Sequence, residues 1–341
     1  MSIRVGDIGE FALIEKLLAV LPAEVVTGSG LVAGIGDDTA VWRPPKGEHL
    51  LITTDAMVEG VHFDLGWTDW FSLGYKALAV NVSDIASMGG VPAVALITLG
   101  LQADRTVDDL VECYRGLGAM AKTAGVVIAG GDIVSSPNAF SISVTLIGIT
   151  VGGRYLSRSG ARAGDEIAVS GTLGAAAGGL KLGQLPEQDP RRSAATAGLL
   201  IEALLRPQPR VELGQRLIEL GATSAMDLSD GLLGDLPKIL QSSDVDALLF
   251  AGSIPYPASL RALFPDSYLD MAMRGGEDYE LIFTASPTVM PAIREAAEIL
   301  GQSVTTIGTI QLKSDSKSRM RLQTASGDVT ELAAGAFDHF R

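Results

Sequence analysis

The chain has 341 residues, of which 47% are hydrophobic and 19% charged, and its formal net charge is −14. That length exceeds one ordinary core and predicts two domains, and the acidity disfavours nucleic acid and anionic membranes, both of which need basic patches. The apolar runs are too short to span a bilayer, the N-terminus carries acids and no small-residue cleavage site, and the single cysteine, Cys113, excludes an internal disulfide. A cytoplasmic protein is expected, with no nucleic acid or membrane partner.

In chain order, "FALIEKLLAVL" has helical spacing of its apolar residues, and "LLITTDAMVEGVHF" reads as a strand running into a loop. "WFSLGYKALAVNVSDIASMGG" reads as a helix with Leu73, Ala77, Leu78 and Val82 on one face, and "AVALITLGL" as a strand. "VDDLVECYRGLGAMAKTAG" predicts a helix ending at Gly125, followed by the strand "VVIAGGDI". "FSISVTLIGITVG" alternates polar and apolar residues, as a half-buried strand does. A boundary near 150–155 divides a β-rich N-terminal domain, 1–150, from an α/β C-terminal domain, 151–341. The second domain opens with "GDEIAVSGTLGAAAGGLKLG", a strand, a glycine turn and a small-residue helix. Helices are expected around 194–205 and 209–221, then a strand and helix in "SAMDLSDGLLGDLPKILQSS", a turn and strand in "RGGEDYELIFTA", and a helix in "TVMPAIREAAEILG". The tail from 304 predicts a strand hairpin around the polar turn "KSDSKSR". There is no low-complexity segment or fixed-period repeat.

The chemistry-bearing feature is a set of aspartates beside glycine, serine or threonine at the ends of apolar runs. Asp37 and Asp38 sit in "AGIGDDTAVW", a stretch without a lysine or arginine. Asp55 ends "ITTDAM", Asp84 sits in "NVSDIASMGG", Asp132 in "AGGDI", and Asp227 and Asp230 in "MDLSDG". Each alone reads equally well as a cap or turn residue. Clustered near a low-dielectric core, such carboxylates would repel one another, and hard divalent cations such as Mg²⁺ or Ca²⁺ relieve that repulsion. Thr53, Thr54 and Ser229 could supply further oxygens. The residues by themselves point to an acidic, metal-using, phosphate-handling enzyme. The chain has no G-x-x-x-x-G-K-[ST] and no H-R-D or D-F-G set, which excludes the P-loop and protein-kinase routes to ATP. "GTLGAAAGGL" fits either an anion held on helix N–H groups or close helix packing through small residues.

The ordered motifs "GIGDDTAV", "TTDAMVEGVHF", "YKALAVNVSDIASMGG", "GGDI", "SRSGARAGD", "MDLSDGL", "GGEDYEL" and terminal "FDHF" resemble the thiamine-monophosphate kinase family across nearly the whole chain. That family belongs to the superfamily of aminoimidazole ribonucleotide synthetase. The resemblance implies an α/β (α+β) fold with a β-rich N-terminal domain that pairs with its twin in a homodimer. It further implies an α/β C-terminal domain, a site in the groove between the two, and ATP-dependent phosphorylation of thiamine monophosphate with several Mg²⁺ ions. Matched by motif, Asp38, Thr53, Thr54, Asp55, Asp84, Asp132 and Asp227 fall where the family binds Mg²⁺, and Asp230 where it binds a further ion; Asp55, Asp84 and Asp132 are the implied catalytic carboxylates. Tyr114, Gly131, Asp132, Arg158 and Ser229 fall at the ATP contacts, and His62, Glu277 and Phe337 at the thiamine phosphate. The terminal "GAFDHF" departs from the family pattern by Ala336 between Gly335 and Phe337.

Two sister activities are disfavoured by the sequence. Selenophosphate synthesis needs a reactive cysteine near the N-terminus, and the hydrogenase-maturation reaction needs a C-terminal cysteine; this chain has neither. "GGEDYEL" and "VEGVHF" disfavour aminoimidazole ribonucleotide synthesis. A non-catalytic, metal-stabilised binding protein is the alternative of a different class.

Overall fold

A computed structural model of the chain describes residues 4, 7, 13, 15–27, 31–33, 41–42, 44–314 and 318–335. Asp37, Asp38, Ala336 and Phe337 lie outside the described residues. The fold is mixed α/β and forms two units, one of residues 1–85 and 90–153, the other of residues 86–89 and 154–341. Among the described residues no helix is long and apolar enough to cross a membrane.

In the first unit the described residues 15–18 are helical, within the stretch where a helix was expected, and a short helix α1 (Ala23–Val26) and a two-stranded ribbon, β1 (Leu31–Ala33) with β2 (Val41–Trp42), follow. Its main sheet is four-stranded, in the order β3 (Leu50–Val58), β6 (Ser141–Ile149), β4 (Val91–Leu101), β5 (Val127–Ser135). Only the β4–β5 pair is parallel. The expected alternation of "SISVTLIGI" is realised: Ile142, Val144 and Leu146 are buried, and the residues between them are not. Helix α2 (Trp70–Ser87) lies on that buried face, with Ile85 against Gly148. The sequence suggested one apolar face for α2, yet residues 72–83 are buried all round, Asn81 and Ser83 included. Helix α3 (Val107–Ala124) is the reason, because it presses so close that a Cβ on Gly74 would stand 1.8 Å from the Cys113 carbonyl oxygen. The ends of α3 are set locally: Thr106 accepts the Asp109 N–H, and Gly125 closes the helix in the left-handed region at φ 68°. The opposite face of the sheet is open, exposing Ile52 and Val134 amid Thr54, Ser143 and Thr98.

The second unit is built on a seven-stranded sheet, in the order β13 (Val329–Leu332), β12 (Met320–Gln323), β9 (Asp246–Phe250), β11 (Val304–Gln311), β7 (Glu166–Ser170), β10 (Leu281–Ala285), β8 (Ser224–Asp227). Its central strands are buried on both faces, which is why their sequences read as unbroken apolar runs. Ile167, Val169, Met226 and Ile282 pack with α7 (Leu232–Ser243), while Ala168, Ala225, Leu281 and Phe283 pack with α6 (Val211–Leu220) and α10 (Met290–Ile299). A satellite cluster joins α4 (Ala175–Gln184), α5 (Ala197–Leu205) and α8 (Ala258–Leu263) through Leu182, Leu200 and Leu260. A final short helix, α9 (Tyr268–Arg274), leads into β10. The hairpin expected around "KSDSKSR" does not form. β11 pairs antiparallel with one edge of β9 and β12 parallel with the other, so β12 does run opposite to β11 as expected, but β9 lies between the two strands and they do not pair with each other. The actual hairpin is β12–β13. The physical reason is β9 itself, whose buried Ala247 and Leu249 take a neighbouring strand on each edge.

Candidate functional site

Strand alternation sorts the carboxylates and hydroxyls of the first unit. Thr53 and Asp55 share the helix-covered side of β3, where Thr53 Oγ1 donates to Asp84 Oδ2 of α2 at 2.5 Å. Burial first, then the charge and hydrogen bonding of neighbouring Asp84, lift the Asp55 carboxyl from an ordinary 3.8 to about 6. Thr54 faces the open side, hydrogen-bonded to Thr145 Oγ1 and the Val144 carbonyl. The register Ala56–Ser143–Thr98–Asp132 carries Asp132 to that same open side. Within one chain the sheet therefore separates Asp132 and Thr54 from Asp55 and Asp84. Gly131 precedes Asp132 at a point where β5 runs hard against β4, and an added Cβ would stand 1.8 Å from the Ile97 carbonyl oxygen. Tyr114 is buried in α3, and burial pushes its hydroxyl pKa up. His62 closes the turn after β3, its Nδ1 accepting the Val58 N–H at 3.0 Å.

In the second unit three segments interlock through glycines. Residues 275–280 run against 228–231 and against the start of α4. A Cβ on Gly276 would meet the Ser229 carbonyl oxygen at 2.4 Å, one on Gly231 would meet the Gly275 oxygen at 2.6 Å, and one on Gly174 would meet the Ala272 nitrogen at 2.7 Å. The Glu277 N–H donates to the Ser229 carbonyl at 2.8 Å and the Tyr279 N–H to the Leu228 carbonyl at 3.0 Å. Asp227 ends β8, buried and in register with Leu281, and Ser229 and Asp230 follow on the turn into α7. Arg158 is exposed, with its carbonyl accepting from Ser243 Oγ.

Two partners in this unit escaped the sequence reading. Lys238 Nζ lies 2.8 Å from Asp230 Oδ2 and 2.7 Å from Asp235 Oδ1, so Asp230 has a cation supplied by its own chain. The Asp235–Lys238 spacing, three apart on a helix, was the available signal. The second partner is Asp278, whose carboxylate accepts the Gly174 N–H at 2.6 Å and the Ala176 N–H at 3.1 Å. Burial raises the Asp278 carboxyl to about 7, although those two N–H groups pull it down. "GTLGAAAGGL" thereby does both things its pattern allowed. Gly179 admits α5, with Leu200 O only 2.3 Å from where a Cβ would be, and the anion on the helix start is Asp278.

The donor chemistry of Thr53, Asp55 and Asp84 suits a hard divalent cation: all donors are oxygens, and burial together with the neighbouring Asp84 holds the Asp55 carboxyl above its ordinary pKa. Among the described residues, no three acidic, histidine or cysteine side chains converge as a ligand group.

Family models of the AIR synthase related protein match twice, the N-terminal domain at residues 36–150 and the C-terminal domain at residues 162–320. Thiamine-monophosphate kinase of Escherichia coli (strain K12) is 38% identical over 336 residues, spanning 97% of this chain and 98% of that protein. The crystal structure of thiamine-monophosphate kinase from Stenotrophomonas maltophilia K279a matches with a TM-score of 0.80 at 37% identity, over 98% of this chain and 99% of that one. A structure of AaThiL complexed with AMPPCP and TMP matches with a TM-score of 0.72 at 31% identity, over 99% of this chain and all of that one.

Proposed function

Because the chain belongs to the thiamine-monophosphate kinase family, we propose that it transfers the γ-phosphoryl group of ATP to thiamine monophosphate, giving thiamine diphosphate and ADP. The observation that carries this reading is the near-full-length likeness to enzymes of that name, one of them holding TMP beside AMPPCP. A phosphate oxygen of thiamine monophosphate attacks the γ-phosphorus, a new P–O bond forms in line, and the bond to the ADP oxygen breaks. The attacking phosphate carries about −1.5 to −2 charge near neutral pH, so no general base is needed to create the nucleophile. The obstacle is bringing two polyanions together.

Thr53, Asp55 and Asp84 would hold Mg²⁺, with Asp38, Thr54, Asp132, Asp227 and Asp230 as further candidate ligands from the motif match. Mg²⁺ supplies charge neutralisation and alignment of phosphate oxygens. Thr53 orients Asp84 by its hydrogen bond. Tyr114, Gly131, Arg158 and Ser229 are the proposed ATP contacts; His62, Glu277 and Phe337 are the proposed substrate contacts. A second copy of the chain is the proposed occupant of the open sheet face with Ile52 and Val134, supported by those exposed apolar side chains among hydroxyls. The domain division at 150 and a cytoplasmic location belong to the same reading.

Phosphorus NMR of the protein with ATP, Mg²⁺ and thiamine monophosphate tests it. Thiamine diphosphate and ADP should appear together, and only in the full mixture. ADP and free phosphate without thiamine diphosphate would refute the assignment of substrate.

A further inference from the structure

The segment Gly275–Glu280 holds an unusual backbone. Glu277 has φ 69° and Tyr279 φ 50°, and both are non-glycine residues in the left-handed region. Side chains of L-residues rarely sit there, and such strain persists only where the surroundings over-determine it. Here the surroundings can be named. The N–H groups of Glu277 and Tyr279 are tied to the carbonyls of Ser229 and Leu228, and the Leu228 N–H is tied to the Glu280 carbonyl at 2.8 Å. The intervening side chains, Asp278 and Glu280, are both anchored inward. Glu280 takes Ser170 Oγ and the Arg210 guanidinium, both at 2.5 Å. Asp278 takes the two N–H groups at the start of α4. The α4 anchor is itself closely packed: Gly174 is left-handed at φ 84°, and a Cβ there would stand 2.7 Å from the Ala272 nitrogen.

We propose that Asp278 is a positioning residue for Glu277. By pinning its own carboxylate to Gly174 and Ala176, it holds the left-handed backbone at Glu277 and fixes the direction in which that carboxylate meets the substrate. This rests on the reading of Glu277 as a contact for thiamine monophosphate, whose cationic thiazolium and amino-bearing pyrimidine complement a carboxylate. Asp278 touches no substrate in this scheme; its effect passes through its neighbour.

The test is a double-mutant cycle with Glu277→Gln and Asp278→Asn, read as KM for thiamine monophosphate, KM for ATP and kcat. It is joined by hydrogen exchange of the peptide covering residues 275–281, and Asp278→Ala serves as a second variant, with thermal denaturation to check that each folds. D278N should raise KM for thiamine monophosphate about tenfold in the wild-type background and less than about twofold in the E277Q background, with KM for ATP unchanged. Exchange in the 275–281 peptide should accelerate by about fivefold or more in D278N and D278A, since the Glu277 and Tyr279 amides lose protection. Equal effects of D278N in both backgrounds would overturn the proposal, because a merely structural role is additive. Unchanged exchange in both variants would overturn it too, because no clamp would then exist. Wild-type KM in E277Q, or no thiamine diphosphate from the wild type, would instead overturn the reading of the site on which the positioning role rests. The exchange result would still decide whether the clamp exists.

Discussion

Replacing Asp55 by Asn should stabilise the metal-free protein while removing most of its turnover, and Mg²⁺ should reverse the order of stability. The Asp55 carboxyl moves from 3.8 to about 6 through burial and the proximity of Asp84. At about 1.4 kcal/mol per pH unit, that displacement of roughly two units sets an upper limit near 3 kcal/mol. Asp55 keeps solvent access, so screening reduces the figure to about 1 kcal/mol. Its folded value lies above its unfolded one, so the native state binds the proton more tightly. Stability is therefore fully present below about pH 4 and is lost as pH rises through about 6. The gain from Asn should be absent at the acid end and complete on the alkaline side, where about 1 kcal/mol corresponds to roughly 2–4 °C in Tm. In Mg²⁺ at about ten times its Kd, the wild type gains about 1.4 kcal/mol by mass action and the variant gains less. Thermal denaturation in chelator and in Mg²⁺, across that pH range, reads both effects. The reasoning fails if D55N is no more stable than wild type in chelator on the alkaline side, or if Mg²⁺ raises the two equally.

Gly131→Ala should lower Tm and weaken ATP binding together, because the new methyl would stand 1.8 Å from the Ile97 carbonyl oxygen and β5 must shift, at a cost of about 1–3 kcal/mol. An unchanged Tm by calorimetry would contradict the close approach of β4 and β5. Lys238→Ala should cost about 1–3 kcal/mol, since it leaves the fully buried Asp235 without its cation. Burial already holds the Asp235 carboxyl above its ordinary value while Lys238 pulls it down, so losing Lys238 raises it further and the deficit should widen as pH rises. Urea titrations at acid and alkaline pH check this, and adding Asp235→Asn should recover much of the loss.

Local signals were the legible part of the fold. The end of α3 followed from Gly125, and the half-buried strand β6 from its alternation, because both depend on a few neighbouring residues. The tail shows that strand pairing is not local: the seven residues 313–319 are polar like a hairpin turn, yet β9 takes the place between the two strands they join. The same divide runs through the site. Period-two alternation alone separates Thr53 and Asp55 from Thr54 on β3, which the grouping of all three as neighbours overlooked. No pattern in "GGEDYEL" could have said that Asp278 caps a helix starting about a hundred residues earlier, since that contact exists only once β7 and β10 have paired.

The aspartates that look alike in sequence meet different fates in the fold, and the difference bears on where the proposed Mg²⁺ would act. Asp278 is compensated by two backbone N–H groups and Asp230 by Lys238, so each has a partner that the chain itself provides. At Asp55 burial raises the carboxyl first and the neighbouring Asp84 carboxylate raises it further, while Thr53 donates a hydrogen bond to that Asp84. Two like charges held together on a sheet and its covering helix are unfavourable unless something positive arrives. Under the proposed function, that repulsion is what a Mg²⁺ ion held at Asp55 and Asp84 would relieve. As a ligand in that reading Asp230 would be the weaker one, since an incoming ion must first displace Lys238.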